Sequence, residues 1–150
     1  MSLETEVMSL MKDAMKNKDE AMLRGLRAIK AEIIKAKTDP GANGEISADT
    51  ELKLLQKLVK QRKDSLAIYE QQSRPDLAVK ESEEIAIIEK FLPAQMSEED
   101  VKAAVQAIIT ELGVSGPQDL GKVMGLATKQ LAGQADGKII SAIAKSLLTA

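Results

Sequence analysis

The 150-residue chain has no cysteine, no histidine and no tryptophan, and it has only one phenylalanine and one tyrosine. The absence of cysteine excludes disulfide bonds and thiol chemistry, and it fits a reducing compartment. The absence of histidine removes the commonest general base and most zinc sites. Aromatic side chains that could stack on unpaired bases are nearly missing, which argues against sequence reading of single-stranded RNA. We therefore expect no metal site, no cofactor and no catalytic residue.

Long apolar runs are missing as well. No stretch approaches the roughly 20 apolar residues of a membrane span, and the first residues, MSLETEVMSLMKDAMK, are too polar for a signal peptide. The net charge of −2 gives no general attraction to nucleic acids or membranes, so any such surface must be local. These features predict a cytoplasmic protein without a membrane partner.

The residues that are present favour helices. Apolar residues make up 44% of the chain and charged residues 29%, and leucine, isoleucine, alanine, methionine and lysine are frequent. Most of these are helix formers, and runs of β-branched residues bounded by turn signals are absent. The sequence therefore predicts an all-α fold with an aliphatic core.

Apolar spacing and capping residues place the predicted helices along the chain. The predicted helices cover residues 2–17, 19–37, 47–72, 77–92, 97–112, 118–132 and 136–150. The longest is 47–72, and the segment TDPGANGE before it is the clearest loop. A break after Pro93 divides the prediction into an N-terminal domain of about four helices, 1–95, and a C-terminal three-helix domain, 96–150.

Two predicted helices carry charges inside their apolar faces. On a helical wheel Arg62 falls in the middle of the apolar arc of 47–72, and Glu81 and Glu84 fall inside that of 77–92. An unpaired buried charge would cost several kcal/mol, on the order given for buried ions. We therefore predict that Arg62 pairs with Glu81, with Glu84 or with both, and that Tyr69 lies close by.

This charged group has two interpretations. One is a pair of catalytic carboxylates held by an arginine. The other is a structural ion pair that fixes how two helices pack. An arginine beside a carboxylate lowers its pKa, which is the wrong direction for a general acid. Because no other catalytic constellation is present, we favour the structural ion pair.

The stretch LGKVMGLATKQLAGQADGK contains four glycines in a segment otherwise suited to a helix. A glycine inside a helix costs about 1 kcal/mol relative to alanine. On the wheel of 118–132, a strip of small residues lies beside the apolar arc, and two lysines lie beyond it. The strip is Gly121, Gly125, Thr128 and Ala132, and the lysines are Lys122 and Lys129. The last helix carries Lys138 and Lys145 on its outer side.

Three interpretations of this surface stay open on spacing alone. From Gly113 onward the chain has four lysines and two acidic residues, a net charge of +2. Small residues, lysines and helix N-termini suit a nucleic-acid backbone recognised by shape and charge. Alternatively, Gly121 and Gly125 allow close helix packing within the domain. In the third interpretation the strip receives a helix of another protein, with Leu126 lying outside the core arc.

Two motifs connect these features to a known family. GKVMG followed by LAGQADGKIISAIAKSLL resembles the C-terminal signature of the GatB/YqeY family. KLVKQRKDSLAIYEQQSRPDLAVKESEEIAIIEKFLP resembles the centre of the stand-alone YqeY proteins. The resemblance covers nearly the whole chain. It implies an N-terminal helical domain followed by three helices similar to the tail of GatB, a subunit of the glutamine-dependent aminoacyl-tRNA amidotransferase.

In that family the GatB tail contacts tRNA and carries neither catalytic site of the larger enzyme. The resemblance therefore implies an accessory protein that binds tRNA, with a protein partner in tRNA-dependent amidation. It relates the chain by kinship alone to a carbon–nitrogen ligase that uses glutamine as amido donor. The surface that it assigns consists of Gly121, Lys122, Gly125, Gly133, Asp136, Gly137 and Lys138, to which the helical wheels add Lys129 and Lys145. The alternative function is a non-enzymatic protein-interaction adaptor that uses the same strip.

Overall fold

A computed structural model describes residues 2–149 of the chain, and within them it contains α-helices, one short 3-10 helix and no strand. This confirms the all-α class predicted from composition. The helices are α1 (Leu3–Lys16), α2 (Glu20–Lys37), α3 (Ala48–Gln71), α4 (Pro75–Glu89), α5 (Glu98–Leu112), α6 (Leu120–Gln130) and α7 (Gly137–Thr149). The 3-10 helix, Pro117–Asp119, leads directly into α6. No helix within residues 2–149 combines the length and apolarity needed to cross a bilayer.

The helix starts follow from local capping chemistry. In four helices a side-chain oxygen accepts a hydrogen bond from the backbone N–H three residues later, at 3.0–3.2 Å. These N-cap residues are Ser2, Asp19, Ser47 and Ser97. Each such bond satisfies a donor that the helix itself leaves free. At the other end of α5, Gly113 adopts a left-handed φ of 66°, a conformation that favours glycine.

Helix α4 differs from its predicted bounds at both ends. It begins at Pro75, two residues before the predicted start, because proline lacks the N–H that the first helical turn leaves unpaired. It ends at Glu89, and the next three N–H groups donate to carbonyls three residues back. This tighter turn brings the chain out of the helix before Pro93, whose ring disfavours a helical residue ahead of it.

The chain divides into two compact units, Met1–Leu92 and Pro93–Ala150. The boundary expected from the sequence lay three residues later. In the first unit α1 packs on α2, and α4 packs on both α2 and α3. Its fully buried side chains are aliphatic and include Val7, Leu26, Ile29, Ile33, Leu55 and Ile88. A Cβ added to Gly25 would lie only 2.7 Å from Ile87 Cγ2, so this glycine permits the close approach of α2 and α4.

The second unit is built from α5, α6 and α7, which all pack on one another. Its core is again aliphatic and includes Val101, Val105, Ile108, Val123, Ala127, Ile140 and Ala144. Because each helix contributes one apolar stripe to this core, the opposite stripes of α6 and α7 face the solvent. The candidate surface for a ligand is carried by these two outer stripes.

Candidate functional site

On the outer stripe of α6, two glycines leave the helix backbone exposed. Gly121 and Gly125 are both exposed, and a Cβ built on either residue would have no atom within 4 Å apart from its chain neighbours and the adjacent backbone of its own helix. Packing within the unit therefore does not require glycine at these two positions. The interpretation that they allow close helix contact inside the domain is wrong.

Four exposed lysines stand on α6 and α7. Lys122 and Lys129 stand on α6, and Lys138 and Lys145 stand seven residues apart along one edge of α7. None of the ion pairs formed within residues 2–149 includes any of the four. Each ammonium group is therefore free to meet an external anion. We call Gly121, Lys122, Gly125 and Lys129 the α6 face, and Lys138 and Lys145 the α7 edge.

The N-terminus of α7 is capped by the side chain of Asp136. Asp136 Oδ1 accepts a hydrogen bond from the backbone N–H of Lys138 at 2.9 Å, and the Asp136 carbonyl accepts one from Ile140 at 3.1 Å. The carboxylate thus occupies the position where an anion would bind the helix N-terminus, and its charge would repel phosphate. Asp136 therefore orders α7. Gly137, the first helical residue, is exposed with open space above it.

Gly133 does not belong to the surface that the family resemblance assigned. It is buried, with a φ of 77°, and its carbonyl accepts a hydrogen bond from Gln95 Nε2 at 2.7 Å. Beside it, the Gln134 carbonyl accepts a hydrogen bond from the Met96 N–H at 2.9 Å. The left-handed turn at Gly133 lies past the end of α6, which stops at Gln130, two residues before the predicted end. This glycine shapes the turn between α6 and α7 and is not available to a ligand.

Two apolar residues lie on faces other than those predicted. A helical wheel of 136–150 places Ile139 on the inward face with Ile140 and Ile143, but Ile139 is 40% exposed, and Leu148 is buried. Leu126 was expected outside the core arc, but it is half-buried and packs against the core of its unit. Both residues lie at the borders of the apolar stripes of their helices.

A shallow depression of about 320 Å³ lies beside the α7 edge, and sequence reasoning missed it. Its lining consists of Glu98 from the start of α5 and of Lys138, Ile139, Ala142, Ile143 and Ser146 from α7. The signal in the sequence was the small residues Ala142 and Ser146 beside isoleucines. No residue of the α6 face lines this depression.

In the first unit, Arg62 approaches one of its two predicted partners. Its Nε lies 3.9 Å from Glu84 Oε1, and the two side chains are only 18% and 16% exposed. Its Nη1 donates to the Leu58 carbonyl at 3.1 Å, while Nε is buried without a hydrogen-bond partner. The pair is therefore held by charge rather than by a direct hydrogen bond between the side chains.

Glu81 forms no ion pair within residues 2–149, and its pKa moves in the direction opposite to the sequence-based argument. Burial raises the pKa of this carboxyl, and the neighbouring Glu84 charge raises it further, against the opposing effects of Arg62 and Arg24. Desolvation disfavours the charged carboxylate more than the two arginines favour it. A raised pKa alone does not make a catalytic acid.

The tightest ion pair around this cluster was not predicted. Arg24 Nη2 donates to Glu83 Oε2 at 2.7 Å and so joins α2 to α4, although a helical wheel of 19–37 places Arg24 on the flank opposite the apolar side. At the end of α3, the Tyr69 carbonyl accepts a hydrogen bond from the Arg74 N–H at 2.8 Å. Residues 2–149 contain no cluster of three or more metal-ligating side chains. The arrangement is that of a charged contact between helices.

Two curated relatives share one name, altered inheritance of mitochondria protein 41, mitochondrial. The one from Kluyveromyces lactis is 38% identical over 86 residues, which cover 56% of this chain but only 43% of the relative. The one from Clavispora lusitaniae is 32% identical over 123 residues, which cover 81% of this chain and 69% of the relative. Because both relatives are named as mitochondrial proteins, the expectation of a plain cytoplasmic protein is contradicted.

The resemblance seen in the two sequence motifs extends over the full fold. The profile of the YqeY-like proteins matches residues 4–148, from the first turn of α1 to the last turn of α7. The chain belongs to the YqeY-like protein family.

Proposed function

We propose that the C-terminal unit binds the sugar–phosphate backbone of a folded RNA, with tRNA as the first candidate. The α6 face provides the contact, and the α7 edge adds charge to it. The resemblance of this segment to the tRNA-contacting tail of GatB motivates the choice of tRNA. Recognition rests on shape and charge, since the unit has no aromatic side chain to stack on bases.

The observation that carries the proposal is the empty space above Gly121 and Gly125. Each glycine in a helix costs about 1 kcal/mol relative to alanine, and here no internal contact offsets that cost. Bare backbone beside Lys122 and Lys129 allows a phosphate chain to come close while the ammonium groups reach its oxygens. Contact with the sugar–phosphate backbone of an RNA would therefore explain these glycines, whereas packing within the unit does not.

Charge also limits where the RNA can lie. The first turn of α5 carries three acidic residues, Glu98, Glu99 and Asp100. These carboxylates repel phosphate, so the contact is confined to α6 and to the lysine side of α7. If all four lysines meet phosphates, affinity should fall about 100-fold between roughly 50 and 200 mM salt.

The test is a titration of fluorescent tRNA with the full chain at several salt concentrations. The double variant Lys122→Glu/Lys129→Glu should weaken binding at least tenfold. Lys102→Glu, a charge reversal at an exposed position on α5, is the control and should have a much smaller effect. No tRNA binding even at low salt would end the proposal, as would equal effects of the two reversals. Capture of a protein that survives nuclease treatment and both reversals would favour the adaptor alternative.

A role in tRNA-dependent amidation is a more specific proposal, and it rests on the family kinship alone. The chain would present tRNA to an amidotransferase that uses glutamine as amido donor, without supplying catalytic residues itself. Adding the chain to such an enzyme should then lower the tRNA concentration needed for half-maximal amidation. The same assay with Lys122→Glu/Lys129→Glu should show no change from the enzyme alone.

A further inference from the structure

The depression on α7 has the pattern of a helix-docking site. Four of its lining residues, Ile139, Ala142, Ile143 and Ser146, stand at positions i, i+3, i+4 and i+7 of one helix. Four residues in this arrangement form the hole that receives one side chain of a neighbouring helix in knobs-into-holes packing. Ala142 and Ser146 are small, so the hole has an open floor, and Ile139 and Ile143 make its walls apolar. Within residues 2–149 nothing fills it.

The rim of the hole carries two opposite charges. Glu98 stands on the α5 side, and Lys138 stands on the α7 side. Glu98 and Lys138 do not pair with each other, since no ion pair within residues 2–149 contains either of them. An occupant must therefore offer an apolar centre, a basic flank toward α5 and an acidic flank toward Lys138.

We propose that this hole docks an amphipathic α-helix of a partner protein. One large aliphatic side chain of the partner enters the hole, a lysine or arginine meets the acidic start of α5, and an aspartate or glutamate meets Lys138. RNA fits this site poorly, because the Glu98 carboxylate repels phosphate and the lining, which has no aromatic side chain, offers no stacking surface. The hole contains no residue of the α6 face and shares only Lys138 with the α7 edge, and the proposal goes beyond RNA binding.

One helix in a shallow hole makes a small interface. Such contacts fall below the roughly 1,200 Å² of a standard stable complex, so a transient interaction is expected. For an isolated peptide we expect a Kd on the order of 0.1–1 mM. A full partner would add contacts beyond the hole.

The test uses the full 15N-labelled chain and a synthetic peptide of defined design. The peptide is an alanine-based helix with one central leucine, two lysines on one flank and two glutamates on the other. Amide shifts should saturate with millimolar peptide and map to residues 139–146 and the first turn of α5. A control peptide with serine in place of the leucine should bind at least tenfold more weakly.

Two variants locate the contact on the chain. Ala142→Trp fills the hole and should reduce peptide affinity at least tenfold, while Ala107→Trp, at an exposed alanine on α5, should leave it unchanged. Glu98→Lys should weaken the same peptide, and a peptide with its lysines replaced by glutamates should recover affinity for that variant. Thermal unfolding of each variant shows whether the fold is kept.

Other results would overturn the proposal. A leucine peptide that causes no saturable shifts, or shifts outside α7 and the start of α5, leaves the hole without its expected occupant. A chain that sediments as a dimer, and returns to a monomer with Ala142→Trp, would assign the hole to a second copy. If tRNA alone shifts Ile139, Ala142 and Ile143, the depression belongs to the RNA surface instead.

Discussion

Arg62 and Glu84 face each other between α3 and α4, with 3.9 Å between Nε and Oε1 and less than a fifth of either side chain exposed. The separation is long for an ion pair, and Arg62 Nε has no hydrogen-bond partner. Both charges are largely removed from water without being fully satisfied. This relationship makes the hairpin of α3 and α4 sensitive to the loss of either partner.

Replacing Arg62 with methionine should therefore destabilise the first unit by about 1–3 kcal/mol, because Glu84 is left largely buried without its counter-charge. The urea midpoint should fall, and tRNA affinity should stay within twofold of the original. The Arg62→Met/Glu84→Met double variant should recover part of the loss, since apolar side chains of similar length can fill this contact. Lost tRNA binding with unchanged unfolding would contradict a structural role.

The contribution of Glu81 to folding stability should fall as pH rises, which is the opposite of what most carboxylates do. Its pKa is raised in the folded chain by burial and by Glu84, so folding favours its protonated form. The favourable contribution is present below the ordinary glutamate pKa and is lost as pH rises through the raised value. Glu81→Gln should therefore stabilise the chain at pH 7, and the gain should disappear near pH 4.

A neighbouring glutamate provides the matched control for that measurement. Glu83 accepts a hydrogen bond from Arg24 at 2.7 Å, so Glu83→Gln should destabilise the chain at pH 7. Urea unfolding of both variants at pH 7 and near pH 4 shows whether their changes in the free energy of unfolding have opposite signs at pH 7. Equal effects of Glu81→Gln and Glu83→Gln at pH 7 would show that the two carboxylates share one environment.

Two glycines should respond in opposite ways to the same added methyl group. Gly125→Ala places a Cβ in open space within α6, so it should stabilise the chain by up to about 1 kcal/mol. Gly25→Ala places a Cβ 2.7 Å from Ile87 Cγ2, so α2 and α4 must move apart and the chain should lose stability. Thermal melting of the two variants tests both directions. A destabilising Gly125→Ala would reveal a contact above α6 that the structure does not contain.

Larger side chains on the α6 face should separate folding from RNA binding. Gly121→Leu/Gly125→Leu covers the exposed backbone at two positions where an added Cβ has open space, so the fold should persist while tRNA affinity falls at least tenfold. Removing the lysines by Lys122→Ala/Lys129→Ala should instead reduce the salt dependence, by a slope of about one for each phosphate that is no longer neutralised. Lys138→Ala/Lys145→Ala, titrated in the same way, measures the contribution of the α7 edge to the salt dependence. Salt slopes that no lysine variant alters would place the RNA elsewhere.

Local chemistry made most of the fold predictable. Ser47 and Ser97 were placed at helix starts from sequence, and both cap their helices through hydrogen bonds to neighbours three residues away. The pairing of Arg24 with Glu83 could not be read in the same way, because 59 residues separate them and only the packing of α2 on α4 brings them together. Long-range pairs of this kind depend on helix crossing, which periodicity does not encode.

The candidate site was likewise predictable where it depends on local sequence, but not where it depends on contacts between distant residues. A wheel placed the lysines and the open glycines on outer stripes, because those positions follow from the rotation of about 100° per residue. It could not show that Gly133 is buried, since that depends on Gln95 reaching its carbonyl across 38 residues. The raised pKa of Glu81 was equally hidden, because it reflects a balance of burial against the charges of Glu84, Arg62 and Arg24 rather than a single pair.

The bonds from Gln95 and Met96 to the carbonyls of Gly133 and Gln134 decide where the C-terminal unit can be cut from the chain. A fragment that starts at Ser97, the first capping residue of α5, would discard both donors and loosen the turn that sets the direction of α7. Excision, fusion or grafting of this unit onto another protein should therefore retain the short stretch from Pro93, although that stretch forms no helix of its own.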